Sequence, residues 1–390
     1  MTDRPFLVAG GGIAGLAAAL GLSRVEKSVR LFEQAPAFEE VGAGLQMSPN
    51  GVRALQWLGV WEAVEPACVI PSEIHVRDGR SGGMLQRLRL GKPFEEKHGA
   101  PYRVCHRADL LGGLARTAEA SGRITLHTGT KAESMASSEN GATLTLAGGQ
   151  TEHGAGVIAA DGIRSTLREA ICGRVSPAHR GHTIYRALIP FSAAPPNAEA
   201  DCVTLWLYPG GHVVHYPVSN WRNFNIVAAI DSPPADQGWS TLAETRELRV
   251  AFAEACEPLA DVIDVPTQWL KWPGADLDSL PQWASGHTVL IGDAAHATLP
   301  YLAQGAVMGL EDACVLAAEL RSGSVAGAFS VFASQRMART TQVQNQSRQQ
   351  GDVYHASGAR ALARNAALKL AGPSIMSRQT DWIYCWRPPE

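Results

Sequence analysis

Residues 6–20 read FLVAGGGIAGLAAAL: four apolar residues, a run of glycines, and an alanine- and leucine-rich stretch of helical character. Few folds accommodate that order. Gly10, Gly12 and Gly15 fall in the G-x-G-x-x-G spacing. The first glycine of such a loop makes a tight turn, the second lets backbone N–H groups approach a pyrophosphate, and the third packs helix on strand. The helix N-terminus adds unpaired N–H groups and a positive dipole end for the phosphate. Ile13 and Ala14 open this helix, expected to run to about Val25, and a second strand, VRLFE, ends at Glu33. That is a βαβ unit with a carboxylate about 20 residues beyond the glycines, placed with Gln34 to hold ribose hydroxyls. The acid disfavours a 2′-phosphorylated ribose, which selects FAD or NAD over NADP.

Composition narrows the setting. The 390 residues are 45% hydrophobic, enough for a large core or two interleaved domains. A net charge of -3, a pI near 6.5 and no Lys/Arg run interleaved with aromatics argue against a nucleic-acid partner. No apolar stretch reaches the roughly 20 uncharged residues of a membrane helix. MTDRPFLVAGG enters a strand with no signal segment before it, so a cytoplasmic protein without a membrane partner is expected. The seven cysteines, from Cys68 to Cys385, are scattered and lack C-x-x-C spacing, which supports neither a disulfide framework nor a metal site.

Along the chain the α/β pattern is interrupted twice. EIHVRDGRSGGMLQRLRL, residues 73–90, has the Asp-Gly and Gly-Gly turn signals of a hairpin. HTIYRALIP, CVTLWLYPGGHVVHYPV and FNIVAAI, within 180–272, are again strand-rich, with a helix expected near Ser240–Cys256. RVCHRADLLGGLARTAEASG gives a strand into a helix, and GVIAADGIRSTLREAICG and TVLIGDAAHATLP each give a strand, a turn and a helix; helical segments close the chain. A discontinuous α/β domain is thus expected over 1–72, 101–178 and 273–345. A mostly antiparallel domain takes 73–100 and 179–272, and 346–390 form a C-terminal helical segment.

Two further turns carry chemistry. In VLIGDAAHATLPYLAQGAVMGLEDA an apolar strand ends at Gly292-Asp293, and Gly305 and Ala306 open a long helix. Asp293 is placed to accept hydrogen bonds from polyol hydroxyls, and the helix N-terminus offers N–H groups to an anion. Reduced flavin, negative at N1 and C2=O, suits that end. In AADGIRSTLRE, Asp161 follows a strand at another such junction. Taken alone, this segment reads better as a plain β-turn with Ser165 capping the next helix.

In order, AGGGIAGL with FEQ, GAGLQMSPNGVRAL, HRADLLGGL, AADGIRSTLRE and IGDAAHATLPYLAQGAVMGLEDA resemble the single-component flavoprotein aromatic hydroxylases of the p-hydroxybenzoate hydroxylase fold. The resemblance covers essentially the whole chain. DWIYCWRP and HVVHYPV are similar to the salicylate 1-monooxygenase and 3-hydroxybenzoate 6-hydroxylase branch. The resemblance implies an α/β fold: a Rossmann-like, glutathione-reductase-like FAD-binding domain, an inserted antiparallel substrate domain and C-terminal helices. It also implies non-covalent FAD reduced by NADH or NADPH, O2 as co-substrate, and attack of an electron-rich phenolate on a flavin C4a-hydroperoxide shielded from water. Carried over residue by residue, Gly10 to Gly15 take the ADP phosphates and Glu33 the ribose. Gly44, Leu45 and Gln46 flank the flavin. Arg107 and Asp293 lie along the phosphate and ribityl region with Asp161 near, and Gly305 and Ala306 sit at the pyrimidine edge. A homodimer is the assembly to test.

For the substrate, alternation along GGHVVHYPV puts His212, Val214 and Tyr216 on one face and Val213 and His215 on the other. In the 3-hydroxybenzoate 6-hydroxylases the matching His and Tyr face the ring, which implies His212 and Tyr216 as base and hydrogen-bond partner of the phenol. Both also read as interior sheet residues with satisfied polar tips. Tyr185, Trp206 and Tyr208 line either an aromatic pocket or a sheet core. Arg186 and Arg222 either pair with a substrate carboxylate or lie solvated. His296 is read as a support of its loop. The chain departs from the family pattern at Ala297 (many relatives have Pro), Val307 (many have Asn) and Pro300, where the 3-hydroxybenzoate branch has Gln. Pro300 tilts the expected substrate toward salicylate. The reading is an NAD(P)H-consuming monooxygenase of a small phenolic acid, salicylate- or 3-hydroxybenzoate-like. The alternatives are a flavin oxidase or dehydrogenase without oxygen insertion, and a non-catalytic flavin-binding regulator.

Overall fold

The computed structural model describes residues 4–38, 43–199, 201–233 and 240–390, the side chains of 373–379 excepted. Phe6–Ala9 lies at the middle of a six-stranded sheet. Val29–Phe32 and Ile124–His127 flank it on one side; Val157–Ala159, Thr288–Leu290 and Ala284–Ser285 flank it on the other. All neighbours are parallel except the last pair. Parallel strands are covered on both faces by their crossovers, so they read as continuous apolar runs. FLVA, VIA and TVL accordingly have every residue buried. The strands at Ala9, Phe32, Ala159 and Leu290 end on one edge, and in an open α/β sheet that carboxyl edge is where ligands bind.

A second sheet has eight strands in the order Thr241–Ala243, Trp269–Asp276, Ala178–Pro190, Asn223–Asp231, Gly211–Val218, Val203–Tyr208, Glu73–Asp78 and Met84–Arg89. It is antiparallel apart from the pairing of Val203–Tyr208 with Glu73–Asp78. The hairpin expected at 73–90 forms its edge. One face packs under the helices Thr245–Ala251 and Glu257–Asp264, whose Leu248, Leu259 and Val262 bury Trp206, Val213 and Phe224. The other face turns toward a two-stranded ribbon of Gly44–Met47 and Arg103–His106.

Burial under those helices decides the state of His215. Trp206 Nε1 donates to its Nε2 at 3.0 Å, and burial pushes its pKa down to about 3. The unfolded chain therefore takes up the proton first as pH falls below the ordinary value of about 6.5. Stability contributed above that pH is lost on the way down, by up to about 1.4 kcal/mol per pH unit for one such group. His215→Phe, which leaves the Trp206 N–H without its acceptor, is expected to be less stable than the parent at pH 8 but to lose less between pH 6.5 and 5. Urea midpoints at the three pH values measure this, and parallel losses in both proteins would contradict it.

Two local expectations give way, and one element is additional. The helix near Ser240–Cys256 is shortened to Thr245–Ala251, because residues 241–243 form a strand paired with Trp269–Lys271 and that pairing overrides helix propensity. After Asp161 the helix is confined to Glu169–Cys172. Asp161 Oδ2 accepts the Thr166 and Leu167 N–H groups and Ser165 Oγ accepts that of Arg168, which offers the backbone an alternative to helix. A three-stranded meander of Ala132–Ser138, Gly141–Leu146 and Thr151–Gly154 was not foreseen. The chain closes with Val325–Tyr354, unbroken over 30 residues, and Gly358–Tyr384, interrupted at Gly372. No helix among the described residues is long and apolar enough to cross a membrane.

Candidate active site

Gly10 leaves the first strand at φ +107°, and a Cβ there would lie 2.3 Å from the Ala160 carbonyl oxygen. A Cβ at Gly15 would lie 1.9 Å from the Gly10 carbonyl oxygen, so the helix starts this close only because both side chains are missing. At Gly12 an added Cβ meets nothing within 4 Å, which marks the open side of the turn. The helix Ile13–Arg24 begins there with no side-chain cap and no acidic residue in its first turn, leaving its N–H groups for an anion. Glu33 Oε2 accepts the Gly11 N–H at 2.5 Å and Oε1 the Ala35 N–H at 2.7 Å; each oxygen keeps a lone pair for a hydroxyl. Gln34 is exposed beside it.

Farther along the same edge, Asp293 is exposed, and Gly305–Glu319 starts at Gly305 and Ala306 with neither a side-chain cap nor a first-turn acid. Arg107, half-buried, opens the helix Arg107–Glu119, its N–H bonded to the Ala43 carbonyl at 2.9 Å. Asp161 is on the edge but chiefly holds its own turn, with Oδ1 buried and unbonded among the described residues. A glycine gap between two uncapped helix ends fits FAD, whose pyrophosphate and flavin pyrimidine edge are both electron-rich.

Strand register sets what faces the ribbon. His212, Val214 and Tyr216 share that face with Leu205, Val227, Asn225 and Arg186. Asn225 Oδ1 accepts the Gly44 N–H at 2.7 Å, and a Cβ on Gly44 would come within 2.5 Å of Tyr216 Cε2, so the ribbon carrying Leu45 and Gln46 rests on Tyr216. Gln46 Oε1 accepts Tyr102 Oη–H at 2.6 Å. Burial pushes the Tyr216 phenol well above its ordinary pKa, which makes it a neutral donor and not a base. Pro300 opens the turn Pro300–Leu302, whose Tyr301 ring stands 5.1 Å from that of His212.

Tyr185 and Trp206 are corrected: neither lines this face. Trp206 pairs with Val213, and Tyr185 with Ala228, itself opposite Val213, so both join the core beneath the two helices. Tyr208 belongs to the same core. The Tyr185 hydroxyl donates to Glu247 Oε2 at 3.0 Å. Alternation gives parity within one strand, and only the register carries it to the next. Arg222 is exposed in the turn after the His212 strand, whereas Arg186 stands on the inner face with its guanidinium 5.1 Å from the Trp272 ring.

His212 ends a chain of hydrogen bonds that reaches solvent. Its Nδ1 is 2.8 Å from His355 Nε2, and His355 Nδ1 bonds Asp231 Oδ1, whose side chain is 52% exposed. Burial raises the Asp231 carboxyl, but the His355 hydrogen bond and charge bring it below the usual range. An ionised carboxylate only accepts, so His355 Nδ1 carries a proton; the tautomer of His355 with that single proton has a lone pair at Nε2, to which His212 Nδ1–H donates. Complete burial, with His355 and His182 near, pushes the His212 pKa well below its ordinary value. Neutral His212 therefore keeps its remaining lone pair on Nε2.

Residues 3–328 match the family described as FAD binding domain. The chain is 35% identical over 386 residues to the 3-hydroxybenzoate 6-hydroxylase of Polaromonas naphthalenivorans (strain CJ2), with 98% of this chain and 96% of the relative covered. It belongs to the FAD-dependent aromatic hydroxylases. A 3-amino-4-hydroxybenzoate 2-monooxygenase, PtnB3 of Streptomyces platensis, is 36% identical over 392 residues with the same coverage. A salicylate hydroxylase substrate complex superposes with TM-score 0.84 at 28% identity over 99% of this chain and 96% of that one. The protein is thus an FAD-dependent aromatic-ring monooxygenase.

In this hydroxylase the turns at Gly292 and Gly305 are fixed by a buried charge network that sequence reasoning missed. Asp312 Oδ2 accepts the Gly292 N–H at 2.9 Å and His296 Nε2–H at 2.5 Å, so His296 does support its loop. Arg336 reaches Asp312 Oδ1 and Glu311 Oε2, each at 2.7 Å, and Arg339 clamps Glu311 through two bonds of 2.7 Å. Asn50 Nδ2 ties Glu311 to Gln304 Oε1. Burial raises the Asp312 carboxyl, but His296 and Arg336 outweigh it and hold it far below the usual range. Arg168 Nε donates to the Ala294 carbonyl at 2.8 Å and joins this turn to that of Asp161. The one sequence signal was a Glu-Asp pair inside an apolar helix, matched by arginines three residues apart.

Proposed function

We propose that this monooxygenase acts in the cytoplasm on a small hydroxybenzoate, a salicylate- or 3-hydroxybenzoate-like phenol, with NAD(P)H and O2 as co-substrates. The observation that carries this reading is His212, buried and neutral, with Nδ1 tied to His355 and Nε2 left for a substrate hydroxyl. FAD, once reduced, supplies the activation of oxygen. Gly10, Gly12, Ile13, Ala14, Gly15, Glu33 and Gln34 hold its ADP half; Gly44, Leu45, Gln46, Arg107, Asp161, Asp293, Gly305 and Ala306 hold the rest. Residues 73–100 and 179–272 supply the substrate side, and 1–72, 101–178 and 273–345 the cofactor side.

His212 Nε2 takes the phenol proton. Its own Nδ1 proton passes to His355 Nε2, so the positive charge settles beside Asp231 at the solvent side and not in the apolar site. The ring is left as phenolate, the electron-rich form that aromatic hydroxylation needs. Tyr216, neutral and buried, donates a hydrogen bond to the substrate. Arg186, two strands over on the same face, is the cation for a ring carboxylate. The substrates named for the two relatives and the structural neighbour all carry a hydroxyl and a carboxyl on one ring, which supports the reading.

The test is a panel of salicylate, 3-hydroxybenzoate, 4-hydroxybenzoate, phenol and benzoate, followed by NAD(P)H oxidation and by product mass under labelled O2. At least one hydroxybenzoate is expected to stimulate oxidation and to gain one labelled oxygen, while benzoate, with no proton for His212 to take, yields no such product. Equal turnover of benzoate, or labelled product from none of the hydroxybenzoates, would defeat it.

A further inference from the structure

We infer that His182, Asp231 and His355 form a binding site for a zinc-type divalent cation, and that a cation bound there switches off the base at His212. The three residues come from the strand Ala178–Pro190, the end of the strand Asn223–Asp231 and the residue closing the helix Val325–Tyr354. Each offers one ligand atom, and all three atoms lie within 4.8 Å of one another. The site sits on the floor of a surface pocket of about 820 Å³, whose wall adds Asp352, Ser357 and Arg360.

His182 is the telling member. Its side chain is only 12% exposed, yet Nε2 stands 3.5 Å from Asp231 Oδ1 with no hydrogen bond, and buried Nδ1 has no partner among the described residues. The neutral form of the ring holds a lone pair on the nitrogen that faces Asp231. An imidazole aimed at a carboxylate and a second imidazole is a donor set that a cation can complete. Two ring nitrogens and one oxygen suit Zn2+, Ni2+ or Cu2+; Mg2+ and Ca2+ prefer all-oxygen sets. Three protein ligands leave a fourth position for water from the pocket.

The ring beyond the site gives the cation a consequence. A metal-bound histidine donates its other ring N–H to a neighbour, and His355 Nε2 already faces His212 Nδ1 at 2.8 Å. When a cation takes the His355 Nδ1 lone pair, the Nδ1 proton leaves for solvent. The proton shared between the rings moves from His212 Nδ1 to His355 Nε2, and His212 Nε2 takes up a proton. His212 then presents an N–H where it had a lone pair. This second half rests on the reading of His212 as the phenol base; the site itself does not.

The experiment uses FAD-loaded enzyme stripped with EDTA and titrated with ZnCl2 in a calorimeter, with hydroxylation followed over the same zinc range. One site saturating at micromolar zinc is expected. His182→Gln and Asp231→Asn should each weaken it by on the order of tenfold or more. Hydroxylation should fall as the site fills, measured against each variant's own rate in EDTA, while the visible flavin spectrum stays constant. Absence of one-site binding, or binding that His182→Gln leaves intact, overturns the site. Zinc held by these residues with hydroxylation undiminished overturns the switch alone. If His212→Ala hydroxylates at the parental rate, the base reading fails, and the calorimetry still decides the site.

Discussion

Exchanging Arg336 for methionine is expected to destabilise the fold by about 3–5 kcal/mol, the usual consequence of removing one partner from a buried ion pair. Arg336 is 2% exposed, and Glu311 and Asp312 are completely buried, so no water replaces the lost guanidinium. Each acid keeps part of its shell: Arg339 and Asn50 for Glu311, His296 and the Gly292 N–H for Asp312. Those remnants hold the effect to that range and make the damage local. Asp312, short of its cation, holds Gly292 and His296 less firmly, so the Gly292–Asp293 turn loosens. Weaker FAD binding should therefore accompany the lower urea midpoint. Arg339→Met is the informative comparison, because Arg339 is partly exposed and Glu311 retains Arg336; its effect should be clearly smaller. A loss below about 1 kcal/mol for Arg336→Met would mean that the network contributes no more than an exposed pair.

That network shows why part of the molecule was legible in the sequence and part was not. The glycine loop, Glu33 and the Gly292-Asp293 turn are short segments whose chemistry is local: a strand end, a tight turn and the first turn of a helix. Adjacency in sequence places their N–H groups and carboxylates at one sheet edge. Alternation along GGHVVHYPV was legible for the same reason, and His212 and Tyr216 do share a face. For Tyr185 and Trp206 the choice between pocket and sheet core stayed open, because a strand's own parity says nothing about its neighbour's. Here the pairing of Trp206 with Val213 decides it. Residues that act through long-range closure left almost no trace. His355 meets His212 from 143 residues away and Asp231 from 124, and no spacing rule links a helix end to two strand positions at such distances. The expectation of no metal site rested on the cysteine pattern, which carries no information about two histidines and a carboxylate brought together over such distances. Local side-chain capping by Asp161 and Ser165 was visible as a turn, but its power to cut the next helix to four residues was not.

His212→Ala should lower hydroxylation by about 100- to 10,000-fold, the span associated with loss of a positioned general base, with FAD binding retained. NAD(P)H oxidation should persist with peroxide as its product, because reduction and oxygen capture need only the cofactor side of the site. A general base and a shape-filling ring are separated by pH. If His212 removes the phenol proton, the variant must wait for substrate that ionises in solution. Its rate should then rise with pH toward the phenol's own pKa while the parental rate stays flat over the same range. A packing role predicts a loss of constant size at every pH. Asp231→Asn tests the same logic from the far end of the chain. An amide can donate to His355 Nδ1 as well as accept from it, so the carboxylate's hold on the tautomer of both rings is lost, although every ring remains in place. The loss should be smaller than for His212→Ala, with the same recovery at high pH. Parental turnover and coupling in His212→Ala would return the residue to the sheet core. A loss in Asp231→Asn without recovery at high pH would detach Asp231 from the proton path.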